Sequence, residues 1–242
     1  MALLLNIDTA TEVASVCVTL NGLSLALIKN EQQKEHASSI HTAVAELLNK
    51  TGYKLKDIEA FAVTSGPGSY TGLRVGMATT KGFCYALKKP LIAINTLEVM
   101  TKAAIDTGGK AEKGMLFCPM IDARRMEVFT AIYNADIENL FSPSAVILEE
   151  SFFNSYMINN RILFFGSGSK KFMGIVSNSN SVFAEIQHNA GHLGSLAETA
   201  FEKRKFSDLS YAEPTYFKDF HSIQNIDIHN IFPQNKNLNN HL

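Results

Sequence analysis

The feature that most constrains the fold is a glycine-rich stretch at residues 61–87, where a short apolar run breaks into a loop and then continues as a helix. The loop is Ser65-Gly66-Pro67-Gly68-Ser69. Its glycines permit positive φ or the close approach of another backbone, and Pro67 fixes one φ between them. The stretch therefore predicts a strand–loop–helix unit in which Gly66, Pro67, Gly68 and Gly72 serve a structural role.

The helix predicted over residues 71–87 is rich in small residues, among them Gly72, Gly76 and Gly82. Each glycine inside a helix costs about 0.5–1 kcal/mol relative to alanine. Close approach of another backbone is the compensation we expect, either from the chain's own sheet or from a partner. A phosphate cradle at the start of the helix is the alternative, but the spacing matches neither GxGxxG nor GxxxxGK[ST].

The charge balance excludes a strongly basic surface over the whole chain. The 242 residues include 22 Lys and Arg against 23 Asp and Glu, which gives a formal net charge of −1. An RNA contact would therefore come from a local patch or from a partner. The candidates for such a patch are the pair Lys88-Lys89 and the triplet Lys203-Arg204-Lys205. Runs of two or three basic residues are too common to indicate a site by themselves.

The cysteines and the apolar runs indicate the compartment. Cys17, Cys84 and Cys118 are far apart and odd in number, which argues against a disulfide framework and favours buried free thiols. No apolar run reaches the length of about 18 residues that a membrane-spanning helix needs. We therefore expect a cytoplasmic protein without a membrane association.

The order of predicted elements indicates two related halves. Residues 1–105 follow the order β-β-β-α-β-α-β-α, and the polar, glycine-containing segment 106–114 interrupts it. A similar pattern then restarts, because an apolar run ends in aspartate at both Ile7-Asp8 and Ile121-Asp122. We predict a lobe at residues 1–106, a smaller lobe at 107–220 whose last helix can return to the first lobe, and a polar, flexible tail at 221–242.

Three segments carry a resemblance to a known family. Residues 65–76, Ser-Gly-Pro-Gly-Ser-Tyr-Thr-Gly-Leu-Arg-Val-Gly, resemble the signature of the TsaB family, also called YeaZ. Residues 5–11 and residues 121–129 agree with the same family. The resemblance implies an α/β, actin-like (ASKHA) fold of duplicated lobes, each a mixed β-sheet with flanking helices. It also implies a cytoplasmic role in forming threonylcarbamoyladenosine in tRNA.

The resemblance further implies a subunit that is not itself an enzyme. Such a protein binds and stabilises a TsaD-like threonylcarbamoyltransferase, which carries the catalysis, and a TsaE-like ATPase joins the assembly. It reaches tRNA through the complex and is expected to form homodimers when alone. No catalytic residue, cofactor or metal is assigned on this interpretation.

The helices at residues 36–50 and 71–87 are the predicted interface, where they would form a helical bundle with matching helices of the partner. Apolar burial drives such an association, and glycine permits close contact. On this hypothesis Gly76→Leu or Val44→Glu abolishes co-purification with the partner while the fold stays intact. The predicted interface residues are Ile40, Val44, Leu47, Leu73, Val75, Gly76, Met77, Thr80 and Phe83, some of which must face the chain's own sheet.

The alternative is an independent actin-like ATPase or kinase with Asp8, Thr9 and Asp122 at a magnesium–nucleotide cleft. The turn that begins at Asp8 fits the first phosphate-binding turn of such enzymes acceptably. The turn that begins at Asp122 lacks the glycine that lets a backbone close on phosphate. The two hypotheses differ in whether the isolated chain binds ATP and loses turnover when Asp8 is replaced.

Overall fold

A computed structural model describes residues 2–30, 36–108 and 114–217, without the side chains of residues 36–39. These residues form two five-stranded sheets. The strands of the first sheet are Leu3–Asp8 (β1), Ala14–Leu20 (β2), Leu23–Asn30 (β3), Ala60–Thr64 (β4) and Leu91–Ile94 (β5). The strands of the second sheet are Leu116–Asp122 (β6), Glu127–Tyr133 (β7), Asn139–Ile147 (β8), Ile162–Phe165 (β9) and Ser181–Ala184 (β10).

The two sheets have the same topology. The orders are β3-β2-β1-β4-β5 and β10-β9-β6-β7-β8, which correspond strand for strand when one is reversed. The central strand β1 is antiparallel to β2 and parallel to β4, and β6 is antiparallel to β7 and parallel to β9. The predicted repeat is thereby confirmed, and Asp8 and Asp122 each end a central strand. The edge strand β8 was not predicted.

The helices differ in length between the two halves. They are His36–Thr51 (α1), Tyr70–Leu87 (α2), Thr96–Thr107 (α3), Asn154–Met157 (α4), Ser169–Met173 (α5) and Ala190–Glu202 (α6). The last helix, α6, begins at Ala190 because Asn189 caps it, with its side chain accepting from Gly191 N at 2.8 Å.

The elements stack in five layers. Helices α1 and α2 cover one face of the first sheet through a core that includes Leu5 and Met77. Helix α6 returns to the other face of that sheet, where Leu193 packs against Leu4. Helix α3 packs on the second sheet, whose outer face carries α4 and α5. Helices α1 and α2 are therefore the outermost layer of the first half.

The sheet positions fit the predicted lobes, whose exact boundaries stay a prediction. The division at residues 106 and 107 falls at the end of α3. Residues 221–242, the predicted tail, lie outside the described residues. The cysteines Cys17, Cys84 and Cys118 are buried free thiols, as predicted. In the described part of the chain, no helix combines the length and the apolar character needed to cross a membrane.

Candidate functional site

The glycine-rich loop fastens α2 to the turn that follows β1. Gly66 has a φ of 111°, which an L-residue rarely adopts. A Cβ on Gly68 would lie 2.2 Å from the carbonyl oxygen of Ala10, and Ser69 N donates to that same oxygen at 2.7 Å. Ser69 Oγ accepts from Gly72 N at 3.3 Å and so caps α2. The predicted structural role of the loop is thus accounted for within the chain.

Two of the α2 glycines are also required by the chain's own packing. A Cβ on Gly72 would lie 2.1 Å from Thr9 O, and one on Gly76 would lie 2.3 Å from Thr9 Oγ1. Thr9 Oγ1 also donates to Gly72 O at 2.7 Å. The inner face of α2 therefore sits directly on the turn after β1, and the expected close approach there is intramolecular.

Most of the predicted interface residues lie in this inner layer. Val44 is 4% exposed and Thr80 is fully buried, with its hydroxyl donating to Gly76 O. Only Val75 and Phe83 of the set are half-buried. The buried members are Ile40, Val44, Leu47, Leu73, Gly76, Met77 and Thr80.

Some of these residues were expected to face the chain's own sheet, but the burial goes further, and an exposed stripe is wrong for all of them except Val75 and Phe83. Their apolar surface covers one face of the first sheet, in the core to which Leu209 and Ala212 of the last described segment also contribute. The expectation that Gly76→Leu and Val44→Glu leave the fold intact is wrong for the same reason. Both substitutions place new atoms in the core.

The outward face of α2 is a different set of residues, spaced three or four apart. Gly82 lies in the middle of it, and a Cβ added there would meet nothing within 4 Å. Tyr85 stands beside it with 81% of its surface exposed. We call this set the α2 ridge: Thr71, Val75, Ala78, Gly82 and Ala86.

The ridge lies between two flanking elements. On one side is α1, where the His41 ring contacts the Phe83 ring with centroids 5.7 Å apart. On the other side is the segment after α6. Its Tyr216 hydroxyl accepts from Arg74 Nε at 3.1 Å, and Lys81 Nζ donates to Ala212 O at 2.9 Å. This segment, residues 207–217, is called the strap below.

A cleft of about 1260 Å³ separates the two halves. Its walls include the loop before α2, the turn after β6 and the end of the strap. Thr215 N donates to Ser65 O at 2.7 Å, and Phe217 packs on Phe129 of β7 with ring centroids 6.1 Å apart. The strap therefore ends in the cleft and touches both of its sides.

The aspartate of the first turn is buried behind this cleft. Asp8 is 1% exposed, and its Oδ1 accepts from Thr64 Oγ1 at 3.0 Å and from Ala10 N at 3.2 Å. Its Oδ2 lies 3.4 Å from His188 Nε2. Thr9, the second residue of the alternative set, uses its hydroxyl to hold α2. Both side chains thus have structural partners.

Asp122, at the second turn, is paired and more exposed. Its Oδ1 accepts from Lys171 Nζ at 2.7 Å and from Arg124 N at 2.6 Å. Partial burial alone would raise the pKa of Asp122, but the bonds from Lys171 and Arg124 N and the lysine charge outweigh it and lower the pKa. Among the described residues, no group of three or more His, Cys, Asp or Glu side chains is arranged to hold a metal ion.

Sequence reasoning missed the ridge, apart from Val75, and it missed the strap. The small residues of the ridge recur at helical spacing, which is a signal in the sequence, but the same is true of the inner face of α2. Only the packing tells the two faces apart. The strap gave no sequence signal beyond being extended.

The comparisons with known proteins agree on one family. Residues 27–238 match the family model described as "TsaD: tRNA N6-adenosine threonylcarbamoyltransferase". The tRNA threonylcarbamoyladenosine biosynthesis protein TsaB of Escherichia coli is 27% identical, over 89% of this chain and 94% of its own length. The TsaB protein of Bacillus subtilis is 25% identical, over 89% of this chain and 93% of its own length.

A solved structure supports the same assignment. YeaZ from Pseudomonas aeruginosa superposes with a TM-score of 0.75 and 25% identity, over 89% of this chain and 100% of that one. The strand order and the layers described above thus belong to a duplicated actin-like fold. From the fold, the loop before α2 and these matches together, we conclude that the chain belongs to the TsaB (YeaZ) family, within the wider group that the threonylcarbamoyltransferase model covers.

Proposed function

We propose that this chain is the non-catalytic subunit that binds and stabilises a TsaD-like threonylcarbamoyltransferase during tRNA threonylcarbamoyladenosine biosynthesis. The names of the E. coli and B. subtilis relatives support the pathway. The family model that spans residues 27–238 supports kinship with the transferase itself, and so a pairing of like folds. A TsaE-like ATPase completes the proposed assembly, and the complex presents the tRNA.

The partner-binding surface in this proposal is the α2 ridge with the adjacent exposed side of α1. Both helices form the outermost layer of the first half, and no element among the described residues covers the ridge. Exposed Thr42 and Ala45 of α1 continue the small-residue surface. Small side chains let two helices approach at the short end of the usual 8–10 Å axial separation.

Gly82 is the observation that carries the proposal. Gly72 and Gly76 are explained by Thr9, whereas a methyl group on Gly82 would project into open space. An exposed glycine inside a helix lowers helix stability by about 0.5–1 kcal/mol relative to alanine. No contact among the described residues compensates for this loss of helix stability. We infer that the compensating contact comes from a partner helix that packs directly on the Gly82 backbone.

The alternative, an actin-like ATPase, has weaker support. It needs Asp8, Thr9 and Asp122 to face a bound magnesium nucleotide. Asp8 is 1% exposed, and Asp122 is neutralised by Lys171 at 2.7 Å. The strap also ends in the cleft that the nucleotide would enter.

The test exploits the opposite effects of one methyl group on stability and on binding. Gly82→Ala should raise the free energy of unfolding by about 0.5–1 kcal/mol, because alanine favours the helix. The same change should weaken association with the TsaD-like partner by about 1–3 kcal/mol, because the methyl group enters a close-packed contact. Urea unfolding of the isolated chain and calorimetric titration with the purified partner measure the two effects.

Gly82→Leu should abolish co-purification with the partner, and Thr199→Leu is its matched control. Thr199 is an exposed helical residue on α6, on the opposite side of the first sheet. If Gly82→Leu and Thr199→Leu bind the partner equally well, the ridge is not the interface. Light scattering of the isolated chain tests the accompanying proposal that the same ridge pairs two copies when the partner is absent.

A further inference from the structure

We propose that the first lobe carries an RNA-binding patch at the edge strand β5, formed by Lys88, Lys89, Lys203, Arg204 and Lys205. We call these residues the basic edge. This inference deepens the proposed function. It rests on the proposed function only for the choice of tRNA as the RNA that is bound. It adds a direct RNA contact to a subunit that otherwise reaches tRNA through its complex.

The fold brings together two basic runs that are far apart in the sequence. Ser207 pairs with Leu91 in an antiparallel bridge, with Ser207 N donating to Leu91 O at 2.8 Å. Ala93 N donates to Ser207 Oγ at 3.3 Å. One residue, Pro90, separates Lys89 from β5, and one residue, Phe206, separates Lys205 from the bridge. Helices α2 and α6, which cover opposite faces of the sheet, therefore end at the same edge.

The charges of the basic edge are mostly exposed, and none of them forms an ion pair within the described residues. Lys89 is half-buried and the other four residues are exposed. None of the five lies within ion-pair distance of a carboxylate of the described residues, whereas Lys50, Lys102, Lys170 and Lys171 each do. Glu98 acts on Lys205 electrostatically from inside the fold. The acidic neighbours in sequence are Glu202 and Asp208, so positive charge predominates.

Helix dipoles explain part of this arrangement but not all of it. Cations are favourable at the C-terminus of a helix, and both runs follow one. That effect is confined to the last turn, however, and does not require a second or third cation beyond the helix. If the cations serve only the helix dipoles, charge reversal lowers the stability of the fold. If they bind RNA, charge reversal lowers the affinity for RNA.

Two exposed aromatic side chains follow the second basic run in the sequence. Phe206 is 42% exposed and rests on Phe201, with ring centroids 5.8 Å apart. Tyr211 is 83% exposed, and Lys81 Nζ holds the carbonyl groups on either side of it. Exposed rings that stack unpaired bases, next to lysines and arginines that contact phosphates, are the combination that binds a strand of RNA.

The test measures binding of the full chain to a fluorescein-labelled, unmodified tRNA transcript by anisotropy between 50 and 200 mM salt. The variant is Lys89→Glu/Lys203→Glu, which avoids Lys88 and Arg204 because both have left-handed φ. Its control, Lys29→Glu/Lys170→Glu, changes the net charge equally. Lys29 lies on β3, at the opposite edge of the first sheet, and Lys170 lies on the second lobe.

We expect the basic-edge variant to lose about tenfold in affinity at 50 mM salt and to flatten the slope of log K against log salt by about 1.5, since each phosphate contact contributes about 0.7–0.9. Tyr211→Ala should lower the affinity by about fivefold or more with an unchanged salt slope, because stacking does not release counterions. Tyr211→Ala should keep the wild-type melting temperature, whereas the basic-edge variant should lower it slightly, because it removes favourable cations from two helix ends. Both variants should keep the wild-type affinity for the TsaD-like partner.

The proposal is overturned if the wild-type chain does not bind the transcript at 50 mM salt, or if the control variant loses as much affinity as the basic-edge variant. A lower melting temperature without a change in RNA affinity assigns the charges to the helix ends alone. Loss of RNA binding with retained partner binding separates this inference from the proposed function. If instead a Gly82 variant loses partner binding and keeps RNA binding, the RNA-binding patch is independent of the proposed partner interface.

Discussion

The two lobes have the same strand order, but they differ in what covers their outer faces. In the first lobe, the helices that connect β3 to β4 and β4 to β5 are 16 and 18 residues long. In the second lobe, the helices in the same two positions, α4 and α5, are 4 and 5 residues long. The strand order is thus repeated in both lobes, whereas the helices of the outer layer differ in length between them.

The outer layers are also stabilised differently. The second lobe closes its outer face with phenyl rings, in which Phe172 packs on Phe164 and on Phe153 with centroids 4.8 and 5.1 Å apart. Helices as short as α4 and α5 have little stability of their own and depend on such packing. The first lobe instead has long helices that complete the core with their inner faces and leave the α2 ridge open. This difference supports the proposed position of the partner-binding surface on the first lobe.

The loops before α2 and α5 repeat the same solution. Gly66 and Gly166 both have positive φ, at 111° and 91°. Asp8 and Asp122 both accept a backbone N–H two residues on, from Ala10 and Arg124. The difference is burial, because the first aspartate lies in the core and the second pairs with a lysine at the surface.

The largest effect that we expect comes from the phenyl cluster of the second lobe. Phe172→Ala should lower the free energy of unfolding by about 4 kcal/mol, since the ring is fully buried. Phe152→Ala, at a ring that is 37% exposed, is the control and should lose clearly less. Urea unfolding of the full chain measures both. Equal losses would mean that α5 does not depend on this packing.

The paired glycines of the two loops should differ in their tolerance of a methyl group. Gly68→Ala should cost about 3 kcal/mol and Gly168→Ala about 1 kcal/mol in unfolding free energy. The reason is that the new Cβ meets a backbone oxygen at 2.2 Å in the first loop, and nearest of all a Val128 methyl group at 2.7 Å in the second. The same unfolding experiment decides the matter, and the reverse order would show that the loops are not equivalent in packing.

The paired aspartates should differ in the same sense. Asp8→Ala should cost about 2 kcal/mol, because it leaves the buried Thr64 hydroxyl and Ala10 N–H without their acceptor. Asp122→Ala should cost about 0–1 kcal/mol, as expected for an ion pair near the surface. Thermal unfolding of the two variants side by side is sufficient, and a greater loss at Asp122 would contradict the assigned roles.

The smallest effect concerns the helix that returns from the second lobe to the first. Burial lowers the pKa of His192 below its ordinary value of 6.5, and Nδ1 accepts from Asn189 N only when the ring is neutral. The stability from this contact is therefore complete above pH 6.5 and is lost as the pH falls below it, because the unfolded chain binds the proton more readily.

His192→Gln keeps an acceptor at that position but does not titrate. We expect its stability to vary less between pH 7 and pH 5 than that of the wild-type chain, as measured by urea unfolding across that range. The His41→Gln variant, changed at an exposed residue of α1, is the control. An identical pH dependence in His192→Gln and wild type would show that His192 is not the source of the pH dependence of stability.

Much of the fold could be predicted from local signals. The apolar runs that end at Asp8 and Asp122 predicted the repeat, and the Gly66–Gly68 loop predicted the start of α2, because glycine spacing and strand hydrophobicity are properties of short segments. The strand β8 escaped prediction because its exposed and half-buried residues give no apolar period. The helices α4 and α5 escaped it because four or five residues do not show a helical period.

The sequence by itself determined the family, the repeated strand order and the presence of helices near residues 36–50 and 71–87, since these depend on residue type and spacing along the chain. Only the tertiary structure decided which face of α2 is open, that Lys88 and Arg204 share one edge, and that Asp8 is enclosed while Asp122 is not. The physical reason is that burial is a relation between elements distant in the chain. Gly76 and Gly82 are the same residue type in the same predicted helix, but a Cβ on Gly76 would meet Thr9 and a Cβ on Gly82 would meet nothing within 4 Å.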